Sequence, residues 1–319
     1  MHILKFDYMV VGANGQDGFF TTRYLLKNNF TVLAITRRNF DLLNNLKKIY
    51  KKKLMLIVIK NYNFQNYKNI FQNKKIKKVI FCAGFSKIPI NQKEKKMCFE
   101  ANFEIFDKFL KFIKTLKYKI KILYISSSEI FGSEHKYKKN ENSKLKYSNY
   151  YGYCKQLTLD LIKTYRKKSS CIISSAIAFN HESFLSPNTH IIKKFIKKFH
   201  KSKNKQITIY NSHEFRNISH VYDFVPLFKK VLDLNYSDDF IFANDKNYKI
   251  IDIIKMINKL IYSNKFKIIN KSKNNFKISR KANNQKIKNI FNYNPKFDLQ
   301  KLLIRFNSYE KKMNVSNEN

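Results

Sequence analysis

The sequence predicts an α/β fold, a Rossmann-type doubly wound parallel sheet with a smaller C-terminal α/β substrate-binding lobe. Apolar runs of four to seven residues alternate with helical segments through the first half of the chain, which is typical of parallel strands covered by helices on both faces. A glycine-rich turn, Gly12–Gly18, follows the first run, and the alternation changes after Phe179. We therefore expect a dinucleotide-binding domain in residues 1–178, with return segments near 217–243, and a mainly substrate-binding lobe in residues 179–319.

The individual elements are predicted from the local pattern of apolar residues. Short apolar runs bounded by polar residues indicate strands, and in the first half these are Tyr8–Val11, Thr31–Thr36, Leu54–Ile59, Val79–Ala83, Ile120–Ser126 and Ile172–Ile177. Apolar residues at helical spacing indicate the helices between them, which are Phe19–Asn28, Asp41–Lys51, Lys93–Lys117 and Tyr151 to about Lys167. In the second half the same criteria give strands at Gln206–Tyr210 and Asp239–Ala243, and helices at Thr189–His200, Tyr222–Leu232, Lys249–Tyr262 and Leu299–Tyr309. The polar residues 311–319 are expected to fray.

The chain is strongly basic, with a formal net charge of +42 over 319 residues. Such a charge is found in proteins that bind nucleic acid or anionic membranes. Here the lysines are spread along the whole chain and fall mostly on polar faces of amphipathic segments, which favours a general bias in residue usage. No helix-turn-helix, zinc-finger or aromatic RNA-binding signature is present in the sequence, so nucleic acid is not an expected partner.

The cysteines and histidines show neither a disulfide pattern nor a metal-binding pattern. Cys82, Cys98, Cys154 and Cys171 contain no C-x-x-C pair, so buried free thiols in a reducing compartment are expected. The 7 histidines lack metal-ligand spacing, and no metal site is expected. The sequence has no run of about 18 apolar residues, which argues against a membrane partner. Lys5 interrupts the apolar residues near the start, whereas a signal peptide has an uninterrupted apolar segment. The expected location is cytoplasmic.

The Gly12–Gly18 turn is the most informative local feature, because the chain has only 6 glycines and three of them stand here at G-x-x-G-x-x-G spacing. A glycine turn between a strand and a helix lets backbone N–H groups approach a pyrophosphate at the helix N-terminus. Arg37 and Arg38 follow the second strand, where arginines suit the 2′-phosphate of NADP and an acidic residue would suit NAD. NADP is the preferred expectation and NAD the alternative. The other predicted cofactor contacts are Gly12, Asn14, Gly15, Gln16, Asp17, Gly18, Ala83 and Lys155.

A second group of candidate residues carries hydroxyl, carboxyl and amino groups. At the end of the fifth predicted strand, a period of two puts Ser127 and Glu129 on one face and Ser128 on the other. Tyr151 and Lys155 stand at i and i+4, so they lie one turn apart on the same face of a helix. A nearby ammonium lowers the pKa of a phenol, so this pair predicts a phenolate that takes a proton from a sugar hydroxyl while hydride leaves the carbon.

These segments resemble motifs of one enzyme family. Gly12–Gly18 resembles G-x-x-G-Q-D-G, Ser126–Gly132 resembles S-T-S-E-L-Y-G, Tyr151–Lys155 matches Y-G-x-x-K and Phe179–Ser183 matches F-N-H-E-S. A fifth, weaker match to R-D-W-x-H-x-x-D-Y-V covers Asn211–Val225. On these residues the chain resembles the extended short-chain dehydrogenase/reductases, and among them the GDP-mannose 4,6-dehydratase family.

The resemblance implies the roles of four residues in a reaction with internal hydride transfer. Tyr151 would deprotonate the C4 hydroxyl of the sugar as hydride passes from C4 to NADP, and Ser127 would hydrogen-bond O4. Lys155 would bind the nicotinamide ribose and lower the pKa of Tyr151. Glu129 would remove the C5 proton, which is acidic beside the C4 ketone, and assist the loss of water from C6. The same hydride would return to C6, so that the cofactor is recycled.

The resemblance also implies a nucleotide-sugar substrate, in the first place GDP-mannose, which would be converted to GDP-4-keto-6-deoxymannose. The residues implied in substrate binding are Ser128, Asn180, Glu182, Arg216 and Arg280. Enzymes of this kind commonly form dimers or tetramers, so a homo-oligomer is expected. The alternative is another extended short-chain dehydrogenase/reductase that acts on a different sugar nucleotide, as an epimerase, a 4-keto-sugar reductase or a decarboxylase. A non-catalytic, basic nucleic-acid-binding protein is the remote alternative.

One segment and three single residues depart from the family's pattern and leave the identity of the nucleotide and the sugar open. Lys60–Asn63 replaces an acidic run after the third predicted strand, and Phe85 stands where the family has glutamine. Tyr150 replaces a proline, and Ile218 replaces a tryptophan. None of these changes alters the residues implied in hydride transfer.

Overall fold

The computed structural model describes residues 3–133, 137–169, 171–272 and 279–315. Its strands are β1 (Leu4–Phe6), β2 (Tyr8–Val11), β3 (Val32–Thr36), β4 (Leu54–Val58), β5 (Lys74–Ile76), β6 (Lys78–Phe81), β7 (Lys121–Ser127), β8 (Ile172–Ala178), β9 (Asn180–Glu182), β10 (Gln206–Ile209), β11 (Phe215–His220), β12 (Asp239–Phe242), β13 (Asn247–Lys249), β14 (Lys267–Asn270) and β15 (Ser279–Arg280). Its helices are α1 (Gln16–Lys27), α2 (Asp41–Ile49), α3 (Phe64–Phe71), α4 (Gln92–Phe99), α5 (Ile105–Ile113), α6 (Tyr150–Lys168), α7 (Ile191–Lys201), α8 (Val221–Asp233), α9 (Ile250–Tyr262), α10 (Gln285–Phe291) and α11 (Leu299–Val315).

Seven of the strands form one parallel sheet in the order β12-β8-β7-β6-β2-β3-β4. Every residue of β2 and β3 is buried, on both faces of the sheet. Strands that are covered on both faces need continuous rather than alternating apolar residues. These two strands could therefore be predicted from short apolar runs. The predicted Rossmann-type fold class is confirmed.

The strand order reverses at β2. The chain builds β3 and β4 on one side of β2, and then β6, β7, β8 and β12 on the other. In open sheets of this kind, ligands bind outside the carboxyl ends of the strands at the point of reversal. The glycine turn follows β2, Ala83 follows β6, and Ser127 ends β7, so these candidates share one edge of the sheet.

The described residues fall into two compact units. The first contains residues up to 132, together with 145–177 and 224–240, and it holds most of the seven-stranded sheet. The second contains residues 133–144, 178–223 and 241 onward. In the second unit β10 pairs with β14, and β11 pairs with β9, β13 and β15. A core of isoleucine, leucine and phenylalanine side chains from α7, α9, α11, β10 and β11 stabilises this unit.

The prediction of one continuous α-helix over Lys93–Lys117 is wrong. Helix α4 is followed by a π-helical turn, Glu100–Glu104, and α5 then ends at Ile113. No glycine or proline marks this change, because its cause lies in tertiary contacts. The carbonyl of Asn102, inside the π-helical turn, accepts hydrogen bonds from side-chain hydroxyls of two other elements.

Most other predicted elements are present with shifted ends. Helix α1 begins at Gln16, directly after the glycine turn, and not at Phe19. Helix α11 continues to Val315, so residues 311–315, which we expected to fray, are helical; residues 316–319 lie outside the described part. Nine further elements have no counterpart among the predicted ones, namely β1, β5, α3, β9, β11, β13, β14, β15 and α10.

All four cysteines are free thiols. Cys98 and Cys154 are buried, with their sulfur atoms 4.0 Å apart, whereas Cys82 and Cys171 are only partly buried. Among the helices in the described ranges, none has both the length and the apolar character needed to cross a bilayer.

Candidate functional site

In the turn between β2 and α1, close packing requires glycine at positions 12 and 18 but not at position 15. A Cβ on Gly18 would lie 2.2 Å from the carbonyl oxygen of Gly12, so α1 can rest on the turn only if residue 18 has no side chain. Gly15 is exposed and has a φ of −79°, and a Cβ there would meet only the Gly12 oxygen, at 3.5 Å. The space above Gly15, at the N-terminus of α1, therefore fits the pyrophosphate of a dinucleotide.

The other predicted cofactor residues of the first unit surround this turn. A Cβ on Gly12, which has a φ of +82°, would lie 2.5 Å from the backbone nitrogen of Ala83, so the loop after β6 packs directly on the glycine turn. Asn14, Gln16 and Asp17 are partly exposed at the start of α1. These residues could hold the diphosphate of a nicotinamide cofactor.

Arg37 and Arg38 are exposed at the carboxyl end of β3. The hydroxyl of Thr36 donates a hydrogen bond of 2.9 Å to the carbonyl of Arg38, which fixes the bend that follows the strand. Burial raises the pKa of Tyr62 to about 12, and the charge of Arg37 opposes that shift, which places the guanidinium near the loop after β4. Two cationic side chains thus flank the position where a dinucleotide's adenosine ribose lies in this fold.

Ser127 and Glu129 are held together by a local turn and not by strand pleating. Strand β7 ends at Ser127 and a 3-10 turn begins at Ser128, so the period of two that we applied to Glu129 and Ser128 does not hold. The backbone N–H of Glu129 donates to Oγ of Ser127 at 3.3 Å. Ser128 is buried inside the turn.

The Glu129 carboxylate is buried, with 8% of the residue exposed, and is oriented by the next helix. The side-chain amide of Asn149 donates to its Oε2 at 2.8 Å, and Oδ1 of the same asparagine accepts from the N–H of Gly152 at 2.9 Å. A Cβ on Gly152 would lie 2.5 Å from the carbonyl oxygen of Glu129, so the start of α6 rests directly on the turn. Tyr151 is thereby fixed beside Ser127 and Glu129.

Tyr151 and Lys155 lie on the same face of α6, as predicted. Lys155 Nζ is 5.9 Å from the centroid of the Tyr151 ring. Desolvation of the hydroxyl raises the pKa of Tyr151, and the Lys155 ammonium and a hydrogen bond from Ser127 oppose that rise. The spacing of Tyr151 and Lys155 predicted the effect of the ammonium but not the desolvation, which is the larger of the two. Burial has the opposite effect on the ammonium and lowers the pKa of Lys155, which is 4% exposed.

Two predicted substrate residues of the second unit lie on β9. Asn180 is partly buried and pairs with Ile218 of β11. Glu182 is completely buried, and its Oε1 accepts from the N–H of Ile192, in the first turn of α7, at 3.2 Å. Burial raises the pKa of Glu182 to about 7. The carboxylate of Glu182 thus accepts at the N-terminus of α7, and its predicted contact with the substrate stays a prediction.

Arg216 and Arg280 are brought together in the second unit. They are directly paired in the parallel ladder of β11 and β15, so their side chains project from the same face. Nη2 of Arg216 lies 2.6 Å from Oε2 of Glu214, and both side chains are largely buried. Two arginines in register can bind an anion with several oxygens, such as a diphosphate.

The structure therefore assembles the predicted residues in two groups. The first unit holds the glycine turn, Ala83, both exposed arginines, Ser127, Glu129, Tyr151 and Lys155, and the second unit holds Asn180, Glu182, Arg216 and Arg280. Sequence reasoning missed Asn149, which orients Glu129. An asparagine directly before a helix is a usual N-cap signal and could have identified it. It also missed Tyr124, whose contact with Lys155 has no sequence signature.

A model of the family described as GDP-mannose 4,6 dehydratase matches residues 9–317. The chain belongs to the GDP-mannose 4,6 dehydratase family. A GDP-mannose 4,6 dehydratase of Dictyostelium discoideum is 22% identical to it over 271 residues, which cover 77% of this chain and 76% of the relative. This member of the family is thus an extended short-chain dehydrogenase/reductase of the sugar-nucleotide dehydratase and epimerase type.

Solved structures of low identity share the fold of this family member. A dTDP-glucose 4,6-dehydratase from Bacillus anthracis in complex with NAD superposes with a TM-score of 0.81 at 16% identity, covering 97% of each chain. A UDP-glucuronic acid 4-epimerase from Bacillus cereus in complex with UDP-glucuronic acid and NAD has a TM-score of 0.82 at 19% identity, covering 97% of this chain and 100% of the other. Both are complexes with a nicotinamide dinucleotide, which agrees with the class of cofactor that the glycine turn predicts.

Proposed function

We propose that this chain is a sugar-nucleotide 4,6-dehydratase that converts GDP-mannose to GDP-4-keto-6-deoxymannose and water. The observation that carries the proposal is the buried carboxylate of Glu129, oriented by Asn149 beside Ser127 and Tyr151. Oxidation and reduction at C4 need only the phenol, the serine and the lysine. A carboxylate at this position adds a base for C5, which a 4,6-dehydration requires.

The chain's own residues would act as follows. Ser127 holds O4 of the hexose, and Tyr151 takes the proton of the C4 hydroxyl. Lys155 stabilises the resulting phenolate by its charge. Glu129 then takes the C5 proton, made acidic by the C4 ketone, and passes a proton to the C6 hydroxyl so that it leaves as water. When bound, NADP would supply the hydride acceptor for C4 and the hydride donor for C6. As hydride reaches C6, C5 takes a proton that Glu129 has drawn from solvent, and Tyr151 releases the O4 proton to solvent.

NADP is proposed as the cofactor because the two cationic side chains after β3 suit a 2′-phosphate, and no acidic residue follows that strand directly. Arg216 and Arg280 are proposed to bind the diphosphate of the substrate, with Asn180 in the same unit. A homo-oligomer and a cytoplasmic location complete the proposal. Four free thiols suit a reducing compartment.

The decisive experiment is turnover of GDP-mannose in deuterated water with catalytic amounts of NADP. A dehydratase should give a 4-keto-6-deoxy product that has lost one water and carries deuterium at C5. An epimerase would conserve the mass, and a 4-keto reductase would consume the reduced cofactor stoichiometrically. A panel of other sugar nucleotides, read by the same loss of water, identifies the substrate if GDP-mannose is not turned over.

Glu129→Gln should abolish the loss of water while NADP still binds. Glu100→Gln, at an exposed position of the same unit, is the matched control and should retain full activity. A Glu129→Gln variant with undiminished dehydration would disprove the role assigned to this carboxylate.

A further inference from the structure

The ammonium of Lys155 is enclosed by protein acceptors. Its Nζ donates to the hydroxyl of Tyr124 at 3.0 Å and to the carbonyl of Ile125 at 2.9 Å. It also lies 4.6 Å from the centroid of the Tyr124 ring, over the negative face of that aromatic system. Since an ammonium has three hydrogens, these two acceptors leave one for the side of the site that contains Tyr151.

The Tyr124 hydroxyl has a fixed direction. It donates to the carbonyl of Asn102 at 3.0 Å, so its single hydrogen is engaged and its oxygen lone pairs face the ammonium. Burial raises the pKa of Tyr124 far above its ordinary value, so the hydroxyl remains neutral and keeps this orientation. A chain of hydrogen bonds thus runs from Lys155 through Tyr124 to Asn102.

The end of this chain is anchored by the π-helical turn. The carbonyl of Asn102 also accepts from Oγ1 of Thr158, one turn beyond Lys155 on α6, at 2.7 Å. The side chain of Asn102 donates to the carbonyls of Phe85 and Cys98, at 3.1 and 3.0 Å, so the turn cannot rotate freely. Wide helical turns of this type are frequent at functional sites.

We propose that Tyr124 is a positioning residue, which holds the Lys155 ammonium in place and in its charged form so that it can stabilise the Tyr151 phenolate. This rests on the roles that the proposed function gives to Lys155 and Tyr151. Removing the Tyr124 hydroxyl takes one acceptor from a buried ammonium and leaves the ring in place. The charged form of Lys155 then becomes less favourable, and the pKa of Tyr151 rises.

Other charged or titratable groups also act on this pair, and all of them remain in a Tyr124 variant. Asp17 of α1, Cys82 after β6 and Cys98 of α4 favour the charged form of Lys155. Glu129, in the turn after β7, opposes ionisation of Tyr151. A difference between Tyr124→Phe and the parent protein therefore reports on the single hydroxyl.

The test compares Tyr124→Phe with Tyr67→Phe. Tyr67 is also a buried tyrosine whose hydroxyl donates to a backbone carbonyl, that of Ile105 at 3.2 Å, and it is not a hydrogen-bond partner of Lys155. In protein without cofactor, labelled with ¹³C at tyrosine Cζ, the Tyr151 resonance is assigned by its absence in Tyr151→Phe. We expect its titration midpoint to rise by about 1 pH unit in Tyr124→Phe and to stay unchanged in Tyr67→Phe.

Steady-state kinetics, measured with a sugar nucleotide that the enzyme turns over, provide a second test. Tyr124→Phe should lower kcat about tenfold and move the acid limb of the kcat profile to higher pH, because the phenolate forms later, while KM changes little. An unchanged Tyr151 titration in a folded Tyr124→Phe protein would overturn the proposal. If no sugar nucleotide is turned over, the proposed function fails, but the titration still decides the role of Tyr124.

A measurement on the parent protein keeps the proposal testable if Tyr124→Phe does not fold. The ¹⁵Nζ resonance of Lys155, assigned with Lys155→Arg, should show an ammonium at neutral pH whose hydrogens exchange slowly with water. Exchange as fast as that of exposed lysines would mean that the ammonium is not held as described.

Discussion

The side-chain amide of Asn149 donates a hydrogen bond of 2.8 Å to the Glu129 carboxylate. The same asparagine caps α6, the helix that carries Tyr151 and Lys155. One residue therefore sets both the orientation of the proposed C5 base and the start of the helix that bears the proposed C4 base.

Asn149→Asp should separate these two tasks. Aspartate caps helices as well as asparagine does, but it replaces a donor with a second negative charge beside Glu129. The added charge opposes ionisation of Tyr151 as the Glu129 carboxylate does, so we expect the acid limb of the activity profile to rise by about 1 pH unit. The measurement is kcat against pH. Asn149→Ser, which retains a capping oxygen without the charge, should leave the limb in place, and equal profiles for both variants would contradict the prediction.

The two glycines that differ in packing should respond differently to alanine. Gly18→Ala places a methyl group against the Gly12 carbonyl and should destabilise the fold by about 1–3 kcal/mol or more. Gly15→Ala should change stability by less than about 1 kcal/mol but weaken NADP binding about tenfold, because its methyl occupies the space for the pyrophosphate. Urea denaturation and calorimetric titration measure the two effects. Undiminished NADP affinity of Gly15→Ala would refute the placement of the pyrophosphate.

Cofactor preference should depend on the arginines after β3. Arg38→Ser removes a charge that would pair with the 2′-phosphate, so the Kd for NADP should rise roughly tenfold, while the Kd for NAD should not change. Lys48→Ser, on the exposed side of α2, controls for the general loss of a positive charge. An equal loss of affinity for NADP and NAD would show that Arg38 does not bind the 2′-phosphate.

The buried Glu182 should make stability depend on pH. Burial raises its pKa from 4.5 to about 7, so the folded state holds a proton that the unfolded chain releases at lower pH. Stability then falls as pH rises from about 4.5 to about 7 and is constant above that, with a total effect of roughly 2–4 kcal/mol. Glu182→Gln should flatten this dependence and be more stable than the parent protein at pH 8. Chemical denaturation from about pH 4.5 to about pH 8 tests it, with Glu100→Gln as an exposed control that keeps the parental slope.

The sheet was predictable because its strands are mostly apolar and because the scarcity of glycine in this chain made the Gly12–Gly18 turn conspicuous. The small strands were not. Strand β5 is Lys74–Ile76, in which two of three residues are lysines, and β15 has only two residues. Such segments become strands only because a neighbouring strand offers hydrogen-bonding partners, and no local pattern of side chains records that.

The reactive residues were predictable where their spacing carries the information, as for Tyr151 and Lys155. Their environment was not. Burial of the Tyr151 hydroxyl and enclosure of Glu182 depend on residues distant in sequence, and both change the pKa in the direction opposite to a neighbouring cation. The motif Phe179–Ser183 does not indicate that the Glu182 carboxylate is buried and accepts from the N–H of Ile192.

The wide turn at Glu100–Glu104 determines how the chain would respond to the deletion of a residue. Such a turn is equivalent to one extra residue in an otherwise regular helix. Because the wide turn absorbs that extra residue, deleting one residue there would restore the regular helix and leave Phe106 and Phe109 facing the interior. The packing of α5 therefore does not require the extra residue, and a deletion would instead remove the displaced Asn102 carbonyl that accepts from Tyr124 and Thr158.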